Sequence, residues 1–158
     1  MKPMKSLIKT ATLLLFACTL ALPVFSSGIQ EDVRTIEVTG MDNLKYDKTL
    51  IEVSPGETIR LVFKVESNVP PQAMSHNIAI LPQGMDADTF AMASMGARDN
   101  EYIAPDYEDQ LIAYTEMIGG GETSTVEFTV PETAGDYDYI CTFPGHYQGG
   151  MVGILRVK

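Results

Sequence analysis

The sequence predicts an all-β chain: an eight-stranded, Greek-key, antiparallel β-sandwich interrupted by one helical flap. Three observations carry that expectation. Short runs rich in β-branched and aromatic residues recur along the chain, turn-forming residues separate them, and the runs show period-two patterning. The clearest is Ile59-Arg60-Leu61-Val62-Phe63-Lys64-Val65, in which Ile59, Leu61, Phe63 and Val65 share one face; Val126, Phe128 and Val130 repeat the pattern.

The chain opens on MKPMKSLIK, with Lys2, Lys5, Lys9 and no acid, followed by a run from Thr10 to Phe25 that is apolar or hydroxyl-bearing. This is the layout of a secretory signal, and residues 1–27 are expected to be removed near Ser26 or Ser27. Leu15-Phe16-Ala17-Cys18 matches a lipoprotein cleavage box more loosely, which makes a lipid on Cys18 the alternative. An uncut run would be a marginal N-terminal anchor, because a membrane span takes about 20 residues. Residues 28–158 are therefore expected to form one exported, periplasmic domain.

Within that domain a polar lead-in (28–34) precedes strand-like segments at Thr35 to Thr39, Thr49 to Ser54, Glu57 to Glu66 and His76 to Leu81. Four more follow, at Leu111 to Ile118, Thr123 to Val130, Asp136 to Thr142 and Val152 to Lys158. Ser54-Pro55-Gly56-Glu57, Gly119-Gly120-Gly121 and Pro131-Glu132-Thr133-Ala134-Gly135 supply turns. Around 82–110 the pattern breaks into a long excursion. Asp86 or Asp88 can cap a short helix there that runs through Phe90 and Ala93 and stops at Gly96. Such an excursion is a packed flap or a functional loop.

The chain has 11 basic and 21 acidic residues and a net charge of −10. Loss of the signal removes three lysines and no acid, which makes the domain more acidic still. Nucleic acid and anionic lipid surfaces are poor partners for such a charge. Direct membrane contact is expected only through partners or the N-terminal anchor. Cys141 would be the sole cysteine left, so no disulfide can form within the domain. An unpaired thiol in an oxidising compartment is a liability unless something holds its sulfur.

His76 and His146 are the only two histidines. Cys141 ends a predicted strand and Met151 precedes the last one. Pro144-Gly145 can turn His146 back toward Cys141, Gly149-Gly150 allows a second bend before Met151, and His76 can reach the same end of the sandwich. One thiolate, two imidazoles and one thioether form the ligand set of a mononuclear blue-copper site. Taken singly, each residue has a plain structural role: a buried cysteine is a small hydrophobe, a methionine beside glycines is filler, and a histidine at a strand end is a satisfied polar group. Their conjunction points to a metal. Zinc also accepts Cys and His, but structural zinc usually recruits more thiolates or histidines than this chain has, and a thioether suits it poorly.

The run Cys141-Thr142-Phe143-Pro144-Gly145-His146 resembles the azurin copper loop, and the Cys, His, Met order is that of the cupredoxin family. The Cys-x4-His-x4-Met spacing is one residue longer than in azurins and is similar to that of auracyanins. Met74-Ser75-His76-Asn77 resembles the segment around the first azurin histidine, with Ser75 where azurins have a glycine whose carbonyl approaches copper. The stretches from Glu101 to Asp106 and from Ile118 to Glu122 are azurin-like too, so the resemblance covers most of residues 70–158. The disulfide of azurins is absent.

The resemblance implies one copper ion cycling between Cu(II) and Cu(I), with Cys141, His76 and His146 in the equatorial plane and Met151 as a weak axial ligand. It implies that the Ser75 carbonyl lies near the axis, that Asn77 ties the ligand loops together, and that Phe143 offers a backbone amide to the Cys141 sulfur. The His146 ring edge would reach the surface in an apolar docking patch for which Pro144 and Tyr147 are candidates. The flap methionines Met85, Met92 and Met95 are lesser candidates for the patch, and their favoured expectation is to pack the flap onto the sandwich. The function so implied is that of a monomeric electron carrier, not an enzyme, serving redox proteins such as a c-type cytochrome, an oxidase or a reductase. A copper storage or delivery protein is the alternative. A catalytic copper oxidase or reductase is weakened because no histidines remain for a second copper centre, and a pure interaction sandwich would bind no copper at all.

Overall fold

The computed structural model describes residues 33–158; the expected signal segment, with Cys18 and the cleavage positions Ser26 and Ser27, lies outside the described residues. Apolar alternation builds most of the strands. In chain order they are β1 (Arg34–Met41), β2 (Lys45–Tyr46), β3 (Leu50–Val53), β4 (Thr58–Glu66), β5 (Ala79–Ile80), β6 (Ala113–Tyr114), β7 (Thr123–Thr129), β8 (Gly135–Ile140) and β9 (Val152–Val157). The excursion between β5 and β6 holds helix α1 (Ala87–Ser94), a 3-10 turn (Arg98–Asn100) and helix α2 (Pro105–Glu108). Among the described residues, no helix is long and apolar enough to cross a membrane.

The strands form two sheets, in the orders β2-β1-β4-β7 and β3-β9-β8-β5-β6. Ile59, Leu61, Phe63 and Val65 of β4 are buried together as their spacing predicts, against Ile51, Tyr139 and Leu155 of the other sheet. Burial of each such side chain contributes about 1.5–3 kcal/mol. Each predicted strand has a counterpart, but two features of the expected sandwich are corrected. A ninth strand, β2, pairs with the end of β1 through Gly40↔Tyr46 and Met41↔Lys45. Two of the pairings, β1 with β4 and β3 with β9, are parallel rather than antiparallel. The chain leaves β1 to lay β3 in the opposite sheet before returning as β4, so β1 and β4 meet through a crossover and not a hairpin.

The flap caps one outer face. Asp86 Oδ1 accepts the Thr89 N–H at 2.7 Å as the N-cap of α1. Ala87, Phe90, Ala91 and Ser94 form the buried stripe of that helix, and Phe90 packs in a second cluster with Leu81, Ile103 and Ile140. Met92 lies off that stripe and Met95 caps the end of the helix, and they are 56% and 40% exposed. The expected packing role therefore holds for Met85, which lies against the second cluster, and is corrected for Met92 and Met95.

Candidate metal centre

Two loops at one end of the sandwich carry the predicted ligands, His76 in one and Cys141, His146 and Met151 in the other. His76 is not inside a strand. It lies three residues ahead of β5 and is fixed by a lone bridge to Ile118, with N–H···O distances of 2.9 and 3.0 Å in the two directions. Cys141 follows β8 directly and Met151 precedes β9, and the Cys141 N–H donates to the Met151 carbonyl at 3.2 Å, one step beyond the β8–β9 ladder. Cys141, His76 and Met151 are fully buried, and His146 keeps 5% of its surface exposed.

The loop between Cys141 and Met151 closes as helix ends do. Met151 N–H donates to His146 O at 3.0 Å and Gly150 N–H to Tyr147 O at 2.8 Å, with Gly150 left-handed at φ +88°. These are the paired bonds of a Schellman motif, in which glycine occupies the left-handed position. The motif accounts for the four residues between His146 and Met151, because the longer of its two bonds joins those residues directly.

The donor atoms converge. Cys141 Sγ stands 3.6 Å from His146 Nδ1 and 3.8 Å from His76 Nδ1, and the two Nδ1 atoms are 3.0 Å apart. Donors sharing one first-row ion at bond lengths of about 2.0–2.3 Å stand about 3–4 Å apart. All three pairs meet that spacing. Two imidazole lone pairs and a sulfur facing one another in a buried space suit a cation between them, and the donor set suits copper. A β-carbon on Gly40 of β1 would lie 3.1 Å from Met151 Cε and 3.3 Å from His76 Cδ2, so Met151 and His76 rest on the same bare stretch of backbone.

Burial sets the protonation of the metal-free site. Desolvation, helped by the charge of His146, brings His76 down to about 4, and desolvation alone brings His146 to about 4. Both rings are thus neutral, the form that binds metals. Desolvation pushes the Cys141 thiol up to about 12, while the backbone N–H groups of Asn77 and Phe143 pull it down. Among the described residues, His76 Nε2 is buried without a hydrogen-bond partner.

Asn77 joins the loops. Its Nδ2 donates to Thr142 Oγ1 at 2.8 Å, its Oδ1 accepts the Thr142 N–H at 2.9 Å, and its backbone carbonyl accepts Tyr46 OH at 2.6 Å. Ser75 is buried, and its hydroxyl turns away to Pro71 O at 2.7 Å. The Phe143 ring lies 4.6 Å from the His146 ring, and Tyr102 caps it at 5.4 Å. Pro144 and Tyr147 are half-buried, and Tyr147 leans on the second cluster. Gln148 Nε2 reaches Met92 Sδ at 3.7 Å, which brings the exposed flap methionine beside the His146 loop.

Lys45, Tyr46, Thr115, Thr142 and Gly40 were not legible as site residues. Only Thr142, adjacent to Cys141, carried any local signal; the others arrive through pairing across the fold.

The sequence model of copper binding proteins, plastocyanin/azurin family, matches residues 33–158. Outer membrane protein H.8 of Neisseria gonorrhoeae is 33% identical over 111 residues, which are 69% of this chain and 60% of that protein. The chain thus spans less than two thirds of that relative. Azurin-1 of Alcaligenes xylosoxydans xylosoxydans is 32% identical over 126 residues, 78% of this chain and 96% of its own. The solved structure of auracyanin A, described as a "blue" copper protein of Chloroflexus aurantiacus, matches with a TM-score of 0.69 at 38% identity, covering 78% of this chain and 98% of that one.

Proposed function

Because this chain belongs to the plastocyanin/azurin family of copper-binding proteins, we propose that it is a type 1 blue-copper carrier shuttling single electrons between redox partners in the periplasm. The observation that carries this reading is the buried triangle of Cys141 Sγ, His76 Nδ1 and His146 Nδ1. One copper ion held there would take up and return a single electron. Cys141 would hold it as the thiolate, His76 and His146 as neutral imidazoles and Met151 as a thioether, with the Ser75 carbonyl as a further candidate donor.

The chain's own residues supply rigidity and a route. Asn77 and Thr142 lock the two ligand segments together, and the N–H groups of Asn77 and Phe143 stabilise charge on sulfur. Burial of the donors excludes water, so little has to rearrange when the charge changes. His146 is the ligand ring with exposed surface, and Pro144 and Tyr147, joined by Met92, would form the docking patch around it.

Charge favours a basic partner, such as a c-type cytochrome. Arg34, Lys48, Arg60, Lys64, Arg156 and Lys158 are each paired with a carboxylate, Lys45 is engaged by the Gly149 and Gly150 carbonyls, and Arg98 is the sole base in the acidic stretch 82–122 that borders the patch. Residues 28–158 loaded with copper should give a reversible one-electron wave and exchange electrons quickly with a lysine-rich cytochrome c, more slowly as salt rises. Slow exchange with ready copper transfer to a metal-free acceptor would favour a delivery role instead.

A further inference from the structure

Strand β2 is two residues long and adds little to its sheet, yet both of its side chains reach ligand-bearing segments. Lys45 Nζ donates to Gly149 O at 3.1 Å and to Gly150 O at 2.9 Å. Tyr46 OH donates to Asn77 O at 2.6 Å. We propose that Lys45-Tyr46 is a clamp that holds the His146–Met151 turn and the His76–Asn77 segment in register, positioning the donor atoms before metal arrives and tuning the loaded site. This rests on the copper reading above.

The Lys45 contact follows from how the turn ends. Its Schellman bonds use the carbonyls of His146 and Tyr147, and the carbonyls of Gly149 and Gly150 lie beyond them. A helical turn presents partial negative charge at that end, and an ammonium is its natural cap. Here the cap comes from a residue more than a hundred positions away, so it ties the turn to β1 and β2 and not merely to itself. Leu44, just before Lys45, is left-handed at φ +57° and sits against Gly149. A residue with a β-carbon holds that conformation only where its surroundings impose it.

The Tyr46 contact is equally constrained. Its ring is buried, 5.2 Å from Tyr139 and 6.0 Å from Phe63, so the hydroxyl has little choice of partner. The peptide it binds is gripped at its other end too, because Ile78 N–H donates to Thr115 Oγ1 at 3.0 Å. With Thr142 on the Asn77 side chain, residue 77 is held at its carbonyl and its amide together, and its N–H is one of the two backbone groups that pull the Cys141 thiol down. Lys45 and Tyr46 touch no donor atom; they are positioning residues that act through Gly149, Gly150 and Asn77.

The test uses Tyr46→Phe, Lys45→Met and the rescue variant Lys45→Arg in residues 28–158. Amide hydrogen exchange on metal-free protein should speed up by about tenfold, the factor carried by one net hydrogen bond. The increase should be confined to residues 76–78 and 142 in Tyr46→Phe and to 146–151 in Lys45→Met, with Lys45→Arg restoring the latter. Copper-loaded Tyr46→Phe should also show a shifted potential and a shifted visible band at unchanged stoichiometry. Uniformly faster exchange following a lower denaturant midpoint, with potential and band unmoved, would overturn the clamp. Exchange is read without metal, so it decides the clamp even where the copper reading fails.

Discussion

Copper uptake should release one proton per ion across the neutral range, and affinity should rise about tenfold per pH unit between about pH 5 and 9. Three side chains set that number. Burial brings His76 and His146 to about 4, so at neutral pH neither has a proton to lose. The Cys141 thiol, pushed up to about 12, still holds one. A thiolate ligand must shed it, so lower proton concentration favours binding. At pH 7 the thiol is almost wholly protonated, and copper must displace that proton as it binds. Below about pH 4 the histidines compete as well, and the slope should steepen toward about three protons per ion. Competition against a chelator of known affinity gives the slope, and calorimetry in buffers of different ionisation heat counts the protons directly. A slope near zero would refute binding through a buried thiol, and a slope of two or more at neutrality would refute neutral histidines.

Metal-free protein should lose stability as pH falls from about 6.5 to about 4, because both rings titrate lower in the folded state than the ordinary 6.5 and the unfolded chain takes protons first. The loss approaches about 3 kcal/mol per histidine. It precedes that of Asp47, Glu108 and Asp136, whose values are held below the ordinary 3.8 to 4.5; equal urea midpoints at the two ends of the histidine window would contradict it. Gly40→Ala places a β-carbon 2.9 Å from Phe63 Cζ and against Met151 and His76, and should cost about 1–3 kcal/mol and hasten copper release to a chelator. Unchanged melting and release would show that the site has slack there. Met151→Leu should keep copper but move the potential, and an unmoved potential would show that the thioether is not axial.

How much was legible depended on how local each feature is. The β4 face, the Asp86 cap and the ligand loop from Cys141 to Met151 are written in neighbouring residues, and each is found where its pattern predicts. Strand β2 is too short for any period to register, and the parallel β1–β4 and β3–β9 pairings depend on which sheet a crossover enters, which no local pattern specifies. Met92 and Met95 are exposed because Met92 lies off the stripe of Ala87, Phe90, Ala91 and Ser94 and Met95 stands at the helix end, where apolar character alone does not decide burial. His76 was read as the start of a strand but is held by a single bridge. The Lys45 and Tyr46 contacts leave no local signal because their partners lie far away in the chain.

Cys141, His76 and His146 are proposed to hold one copper ion in a thiolate-bound blue site. The visible spectrum of residues 28–158 during titration with Cu(II) tests it most directly. An intense blue band should appear, saturate at one equivalent, bleach on reduction and be absent in Cys141→Ser. A colourless Cu(II) complex, or a band that survives Cys141→Ser, would contradict it.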